Sequence, residues 1–178
     1  STGQEPYSLA MMLRDSFPIL GSWKVEIVAT DISPSVLQRA REGVYSTFEV
    51  QRGMPIQMLV RHFDQVGEAW RIKNELRPCI NFRPANLLED LASLGMFDIV
   101  LCRNVLIYFD QPTKTRILHG MSRRIAADGV LLLGGAESVF GLCDAFSGLT
   151  GLKGVYGHAT TRNPARPSWP SLPLPAAS

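Results

Sequence analysis

Phe97-Asp98-Ile99-Val100-Leu101-Cys102-Arg103-Asn104-Val105-Leu106-Ile107-Tyr108-Phe109-Asp110 is the stretch on which the fold turns. Phe97 to Cys102 is a short apolar run and reads as a buried strand. Arg103 and Asn104 follow it at once, and a charge placed there must be paired or useful. Beyond it, Gln111 to Ala127 has helical spacing, with Ile117, Leu118, Met121 and Ile125 on one stripe. Asp128-Gly129 then turns the chain into Val130 to Leu133, a fully apolar strand of the kind a parallel sheet buries. Strand, helix, strand in this order is an α/β signature.

The same alternation runs outward in both directions. Pro6 to Leu13 has helical spacing behind the small, polar Ser1-Thr2-Gly3. Val25 to Thr30, rich in β-branched residues, reads as a strand that ends at Asp31. Ser33 and Pro34 open a helix as N-cap and first helical residue, and Gly43 closes it. Tyr45 to Glu75 shows no clear period, although Arg71 to Phe82 has room for two short strands. Val155 to Thr161 reads as a final edge strand. From Asn163 onward five prolines interrupt the chain, so 1–162 reads as the folded domain and 163–178 as an extended tail or linker.

Composition bounds the function. At 178 residues, with 46% hydrophobic and 19% charged, the chain is one soluble domain's worth. A net charge of +2 argues for neither nucleic acid nor an anionic membrane. No apolar run reaches the roughly 18 residues of a membrane span, and no basic start followed by an apolar stretch marks a secretory signal within these residues, which open at Ser1 in mid-motif. Cys79, Cys102 and Cys143 are far apart, as are His62, His119 and His158, so no metal site is expected and the thiols suit a reducing, cytoplasmic setting. Trp23, Trp70, the methionines and the cysteines read as packing.

In open α/β sheets, ligands bind beyond the carboxyl ends of the strands. Asp31 stands there, as do Asn86-Leu87-Leu88 ahead of the Phe97 strand and Arg103-Asn104 after it. An acidic residue ending a strand can accept both hydroxyls of a ribose, and an Asn can exchange hydrogen bonds with an adenine edge. Each has a plainer reading. Asp31 can cap a turn, Asn86 can satisfy loop backbone, and Tyr108 on pattern alone is favoured as core. The small-residue opening lacks a full G-x-G-x-x-G, so it is not a dinucleotide fingerprint.

Taken together, Ser1-Thr2-Gly3-Gln4-Glu5-Pro6-Tyr7-Ser8, Ala29-Thr30-Asp31-Ile32, Asn86-Leu87-Leu88 and the Phe97–Asp110 stretch resemble the CheR family, which methylates glutamates of bacterial chemoreceptors. Gly134-Gly135-Ala136-Glu137-Ser138 is similar to that family's G-x-x-E-S segment, and the likeness runs over roughly residues 1 to 160. It implies a class I S-adenosylmethionine-dependent methyltransferase fold, α/β and Rossmann-like, with a mixed, mostly parallel sheet and flanking helices. By the same resemblance Ser1 and Glu5 belong to the cofactor site, Glu5 on the methionine amino group. Asp31 takes the ribose, and Asn86 with the Leu87 backbone holds the adenine region. Arg103, Asn104 and Tyr108 lie near the reacting methyl, with Arg103 and Tyr108 as the catalytic pair. The product cofactor is S-adenosylhomocysteine. The implied partner is the cytoplasmic helical region of chemoreceptors, and the implied setting is the cytoplasm. Family members also carry an N-terminal helical domain and a first strand, which fall upstream of Ser1.

The chemistry agrees with what is lacking. A glutamate acceptor, with an ordinary pKa of about 4.3, is already an anion at neutral pH, so no general base is needed. Tyr108 then serves to orient the acceptor. Some members carry a longer Gly-rich hairpin, in the region matching Phe63 to Arg77, that docks a tethering peptide. Here Asp64 to Arg71 is short with a single Gly, so tether independence is expected. Two rivals stand beside this reading: a non-catalytic sensor that keeps the pocket, and a methyltransferase for a small acid or another protein.

Overall fold

The computed structural model describes residues 1–159, which form two compact units, Ser1–Asn86 and a second from Leu87 onward. The Pro-rich 163–178 segment and the expected boundary at residue 162 lie outside the described residues.

In the first unit α1 (Gln4–Ser16) leads through a 3-10 turn (Pro18–Ser22) to β1 (Ile27–Asp31). Then comes α2 (Pro34–Glu42), capped as its sequence predicts: the Ser33 hydroxyl accepts the Val36 N–H at 3.4 Å, and Gly43 takes a left-handed φ of 60°. At the far end of the unit β5 (Ile80–Pro84) pairs with β1 in parallel, Asp31 opposite Pro84. Both strands therefore end at the same edge. Helices α1 and α2 pack on this pair.

The stretch without visible period, Tyr45 to Glu75, is ordered. It holds β2 (Val44–Ser46), α3 (Thr47–Gln51), α4 (Ile56–His62), β3 (Phe63–Val66) and β4 (Ala69–Ile72). The strands form an antiparallel sheet in the order β2-β4-β3. A capping box starts α3: Ser46 Oγ accepts the Glu49 N–H, and Glu49 Oε2 accepts the Ser46 N–H. Gly67, at a φ of 62°, opens the two-residue β3–β4 loop, the place where hairpin geometry asks for Gly. Elements this short cannot display a period. The unit's core joins Tyr7, Met11 and Ile27 to Tyr45, Val50, Leu59, Phe63 and Ile72.

In the second unit β6 (Phe97–Cys102) runs parallel to β7 (Ile125–Leu133), and β9 (Val155–His158) and β8 (Phe146–Gly148) follow antiparallel. Three sequence expectations need correction. Helix α5 (Gln111–Ser122) stops short of Ala127 because Phe97 donates its N–H to the Arg124 carbonyl at 2.9 Å and pairs with Ile125, drawing that residue into β7. Asp128-Gly129 consequently lies inside β7, at a register irregularity, rather than in a turn before it. The Val155 strand lies between β7 and β8 and is not at the edge.

The β6 strand is also less buried than its composition suggests. Cys102 is buried but Ile99 is exposed, since among the described residues β6 pairs with β7 alone. Cys102, Leu106, Ile117, Leu118, Met121, Leu131 and Leu133 form the heart of this unit's core. Trp23, read as packing, is 66% exposed, because it lies in the irregular link after the 3-10 turn; Met12 and Met96 are exposed as well. Parallel strand pairs, antiparallel strands and packed helices give each unit the mixed α/β character that the sequence predicts.

Candidate functional site

In the first unit the site is built around Asp31, half-buried at the carboxyl end of β1. Its Oδ1 accepts the Ser33 N–H at 2.9 Å. Burial pushes the carboxyl's pKa up, and the Ser33 and Ile32 N–H groups pull it down. Asp31 acts as an acceptor. Its carbonyl takes the Ala85 N–H at 3.1 Å, which brings Asn86 to the same strand-end edge.

The segment ahead of α1 is folded back on this edge. Gly3 adopts a φ of 97°, and a Cβ there would come within 2.9 Å of the Tyr45 hydroxyl. That hydroxyl donates to the Thr2 carbonyl at 2.9 Å. Tyr45 is buried, and burial pushes its phenol well up, so it stays a neutral donor. Glu5 sits in the first turn of α1, where the helix dipole favours an acid and where a carboxylate suits a ligand's ammonium. Sequence pattern assigns Tyr45 no role, because its position is fixed only by the β2–β4 pairing.

In the second unit the chain leaves β6 at Cys102, opposite Leu133, where its parallel neighbour β7 ends. Arg103 and Asn104 thus stand at a shared carboxyl edge, facing the turn that begins at Gly134. Asn104 is left-handed, with a φ of 57°. Glu137, 9% exposed, lies beneath this backbone. Its Oε2 accepts the N–H groups of Asn104 and Gly134, both at 2.8 Å, and its Oε1 those of Val105 at 2.9 Å and Leu106 at 2.7 Å. Burial raises its pKa, but the four N–H bonds win and hold the carboxyl below its ordinary value. Tyr108 ends the 3-10 turn Leu106–Tyr108 and is 80% exposed. That overturns the core reading of this residue: the buried member of the turn is Leu106. Leu87 packs against the core of this unit.

The eight residues singled out from sequence therefore fall into two sets. Ser1, Glu5, Asp31 and Asn86 belong to the first unit, and Leu87, Arg103, Asn104 and Tyr108 to the second. Glu137 was legible only as part of the G-x-x-E-S segment, which says nothing of what its carboxylate holds.

Two other polar clusters stand apart. In the first unit, the buried His62 presents Nε2 to Asp15 Oδ2 at 2.8 Å, and this bond draws the Asp15 carboxyl down. In the second, folding gathers His119, Cys143 and Asp144 from separate parts of the chain. Cys143 Sγ lies 3.7 Å from His119 Nδ1, whereas Asp144 Oδ1 is 3.9 Å from Nε2, on the other side of the ring. One ligand atom from each lies within 4.8 Å of the others, but three such groups fall one short of the four ligands of a closed structural zinc site.

The first unit offers carboxylates for hydroxyls and an ammonium, and an amide for a purine edge. That donor set fits S-adenosylmethionine. Residues 1–155 match the family described as CheR methyltransferase, SAM binding domain. A chemotaxis protein methyltransferase of Vibrio parahaemolyticus is 41% identical over 151 residues, covering 82% of this chain and 54% of the relative. Chemotaxis protein methyltransferase 1 of Pseudomonas aeruginosa is 44% identical over 151 residues, with 82% and 55% covered. The probable biofilm formation methyltransferase WspC of the same organism is 39% identical over 140 residues, with 78% and 32% covered. The chain spans about half the length of the chemotaxis relatives it matches.

Proposed function

The chain belongs to the CheR methyltransferase family, as its S-adenosylmethionine-binding domain, and from that membership we propose that the whole protein methylates glutamate carboxylates of chemotaxis receptors. The cofactor supplies a methyl group made electrophilic by its sulfonium. The chain's own residues have to bind, orient and exclude water. Asp31, half-buried, accepts the ribose hydroxyls. Glu5 pairs with the amino group of the methionine part, next to Ser1 and the folded-back segment before α1. Asn86 and the Leu87 backbone take the adenine.

Arg103 and Asn104 line the methyl-proximal side, and Tyr108 orients the incoming carboxylate through its hydroxyl. The acceptor arrives as an anion at neutral pH, so Tyr108 keeps its proton throughout and rate comes from alignment. The observation that carries this reading is the exposure of Tyr108 at the carboxyl edge of β6, where a packing residue would be covered.

The partner in this reading is the cytoplasmic helical part of a receptor, and the work is done in the cytoplasm. No helix among the described residues is long and apolar enough to cross a membrane. The tight β3–β4 hairpin supports recognition without a tethering peptide. Receptor membranes incubated with the whole protein and methyl-labelled cofactor should gain label that alkali releases as methanol, the mark of an ester. Label that survives alkali, or that enters only small molecules, rejects the glutamate assignment. Cofactor binding with no transfer to any acceptor points instead to a sensor.

A further inference from the structure

Glu137 has no task in the reading above, yet its carboxylate accepts four backbone N–H groups at the carboxyl edge of β6 and β7. We propose that Glu137 is a positioning residue for methyl transfer: its carboxylate sets the backbone of Asn104–Leu106, and through it the presentation of Asn104 to the cofactor and of Tyr108 to the acceptor. The inference rests on the roles given to Asn104 and Tyr108 in the proposed function.

The geometry runs in two steps. Three successive N–H groups, from Asn104, Val105 and Leu106, converge on one carboxylate. Successive amides converge on one anion only when the backbone curls around it, as in the nests that bind anions elsewhere. Asn104 takes the left-handed conformation in that curl, with a φ of 57°, and Val105 follows at φ −117° and ψ −45°. A non-Gly residue keeps such a conformation only where its surroundings over-determine it. Here the surroundings are the two oxygens of Glu137.

The second step passes the constraint to Tyr108. The Val105 carbonyl accepts the Tyr108 N–H at 3.3 Å, and the Leu106 carbonyl accepts that of Phe109 at 3.1 Å. The turn that carries Tyr108 thus hangs from the two residues whose own amides Glu137 grips. The other side of the grip is equally close-fitting. Gly134 donates to Oε2, and a Cβ on Gly134 would lie 2.6 Å from that oxygen and 3.0 Å from the Asn104 nitrogen. The Glu137 N–H bonds back to the Gly134 carbonyl at 2.9 Å, closing the turn that holds the carboxylate in place. A buried anion with four N–H donors has no use for a proton, and a neutral amide in its place would set N–H against N–H.

Glu137→Gln in the whole protein makes that exchange at nearly constant size. Calorimetry without acceptor gives the Kd for S-adenosylmethionine, and steady-state transfer gives kcat, both well below the melting temperature. Ile117→Val, a conservative core change within α5, serves as the control for loss of stability. The Gln variant should bind the cofactor about tenfold more weakly and turn over more slowly, while the control stays within about twofold of wild type. Glu137→Asp keeps the charge on a shorter arm, should fall between, and carries the comparison if the Gln variant does not fold. Wild-type Kd and kcat in a folded Gln or Asp variant overturn the proposal, as does an equal loss in the Ile117→Val control. Failure of the wild type to methylate receptors sinks the function reading alone, because the cofactor Kd is read without an acceptor.

Discussion

The backbone N–H of Asn104 lies 2.8 Å from Glu137 Oε2, a bond that ties the turn after β6 to the turn after β7. Cys102 and Leu133, the last residues of those strands, are register partners. The polar edge of this unit is thus held by one buried carboxylate acting on backbone.

Glu137 makes stability depend on acid. Its folded pKa lies below the ordinary carboxylate value. The stabilisation is therefore complete above about pH 4.3, the unfolded value, and is lost as pH falls through the lower folded value. Denaturation curves from pH 7 downward should show wild type losing stability in that acid range, with a shallower loss for Glu137→Gln. Parallel slopes in the two proteins would remove Glu137 as a source of the acid sensitivity.

Gly134 and Gly135 are neighbours with opposite expectations. A Cβ on Gly134 meets Glu137 Oε2 at 2.6 Å, whereas one on Gly135 meets nothing within 4 Å. Gly134→Ala should destabilise by about 1–3 kcal/mol, the usual range for overpacking. Gly135→Ala should be close to neutral. Thermal melts of the pair, run side by side, test the contact directly.

Asp31→Ala should weaken S-adenosylmethionine binding by about 1.5–3 kcal/mol, the range for hydrogen bonds to a charged group. Calorimetry on the folded variant measures it. Unchanged affinity would take Asp31 out of the cofactor site and leave it as the acceptor of the Ser33 N–H seen here.

Tyr108→Phe separates orientation from packing. With the ring 80% exposed, loss of the hydroxyl should leave the melting temperature where it was. If the hydroxyl aligns the acceptor, kcat and kcat/KM fall together and cofactor affinity holds. Wild-type kinetics against receptor membranes would deny Tyr108 its role.

A receptor's C-terminal peptide should neither bind nor inhibit, given the tight β3–β4 loop. Fluorescence titration decides, and a micromolar Kd, about −8 kcal/mol, would show that this hairpin docks a peptide after all.

The alternation of strands and helices, the Ser33–Pro34 helix start with its Gly43 stop, and the polar residues at the strand ends are all legible in the chain. Each depends on neighbours a few residues apart, and local spacing carries that kind of information. The family likeness in the Phe97–Asp110 stretch is local in the same sense. Four outcomes needed the tertiary structure: the end of α5 at Ser122, the order of Tyr45 to Glu75, the exposure of Tyr108 and the work of Glu137. In α5 the pairing of Phe97 with Ile125 overrides a helical stripe that continues in sequence. For Tyr45 to Glu75, strands of three or four residues show no period until they find partners. An aromatic in an apolar run is buried or exposed according to which side of a turn faces the core, and at Tyr108 that side is occupied by Leu106. The task of Glu137 is set by amides 31 to 33 residues away, which only the parallel register of β6 and β7 brings within reach.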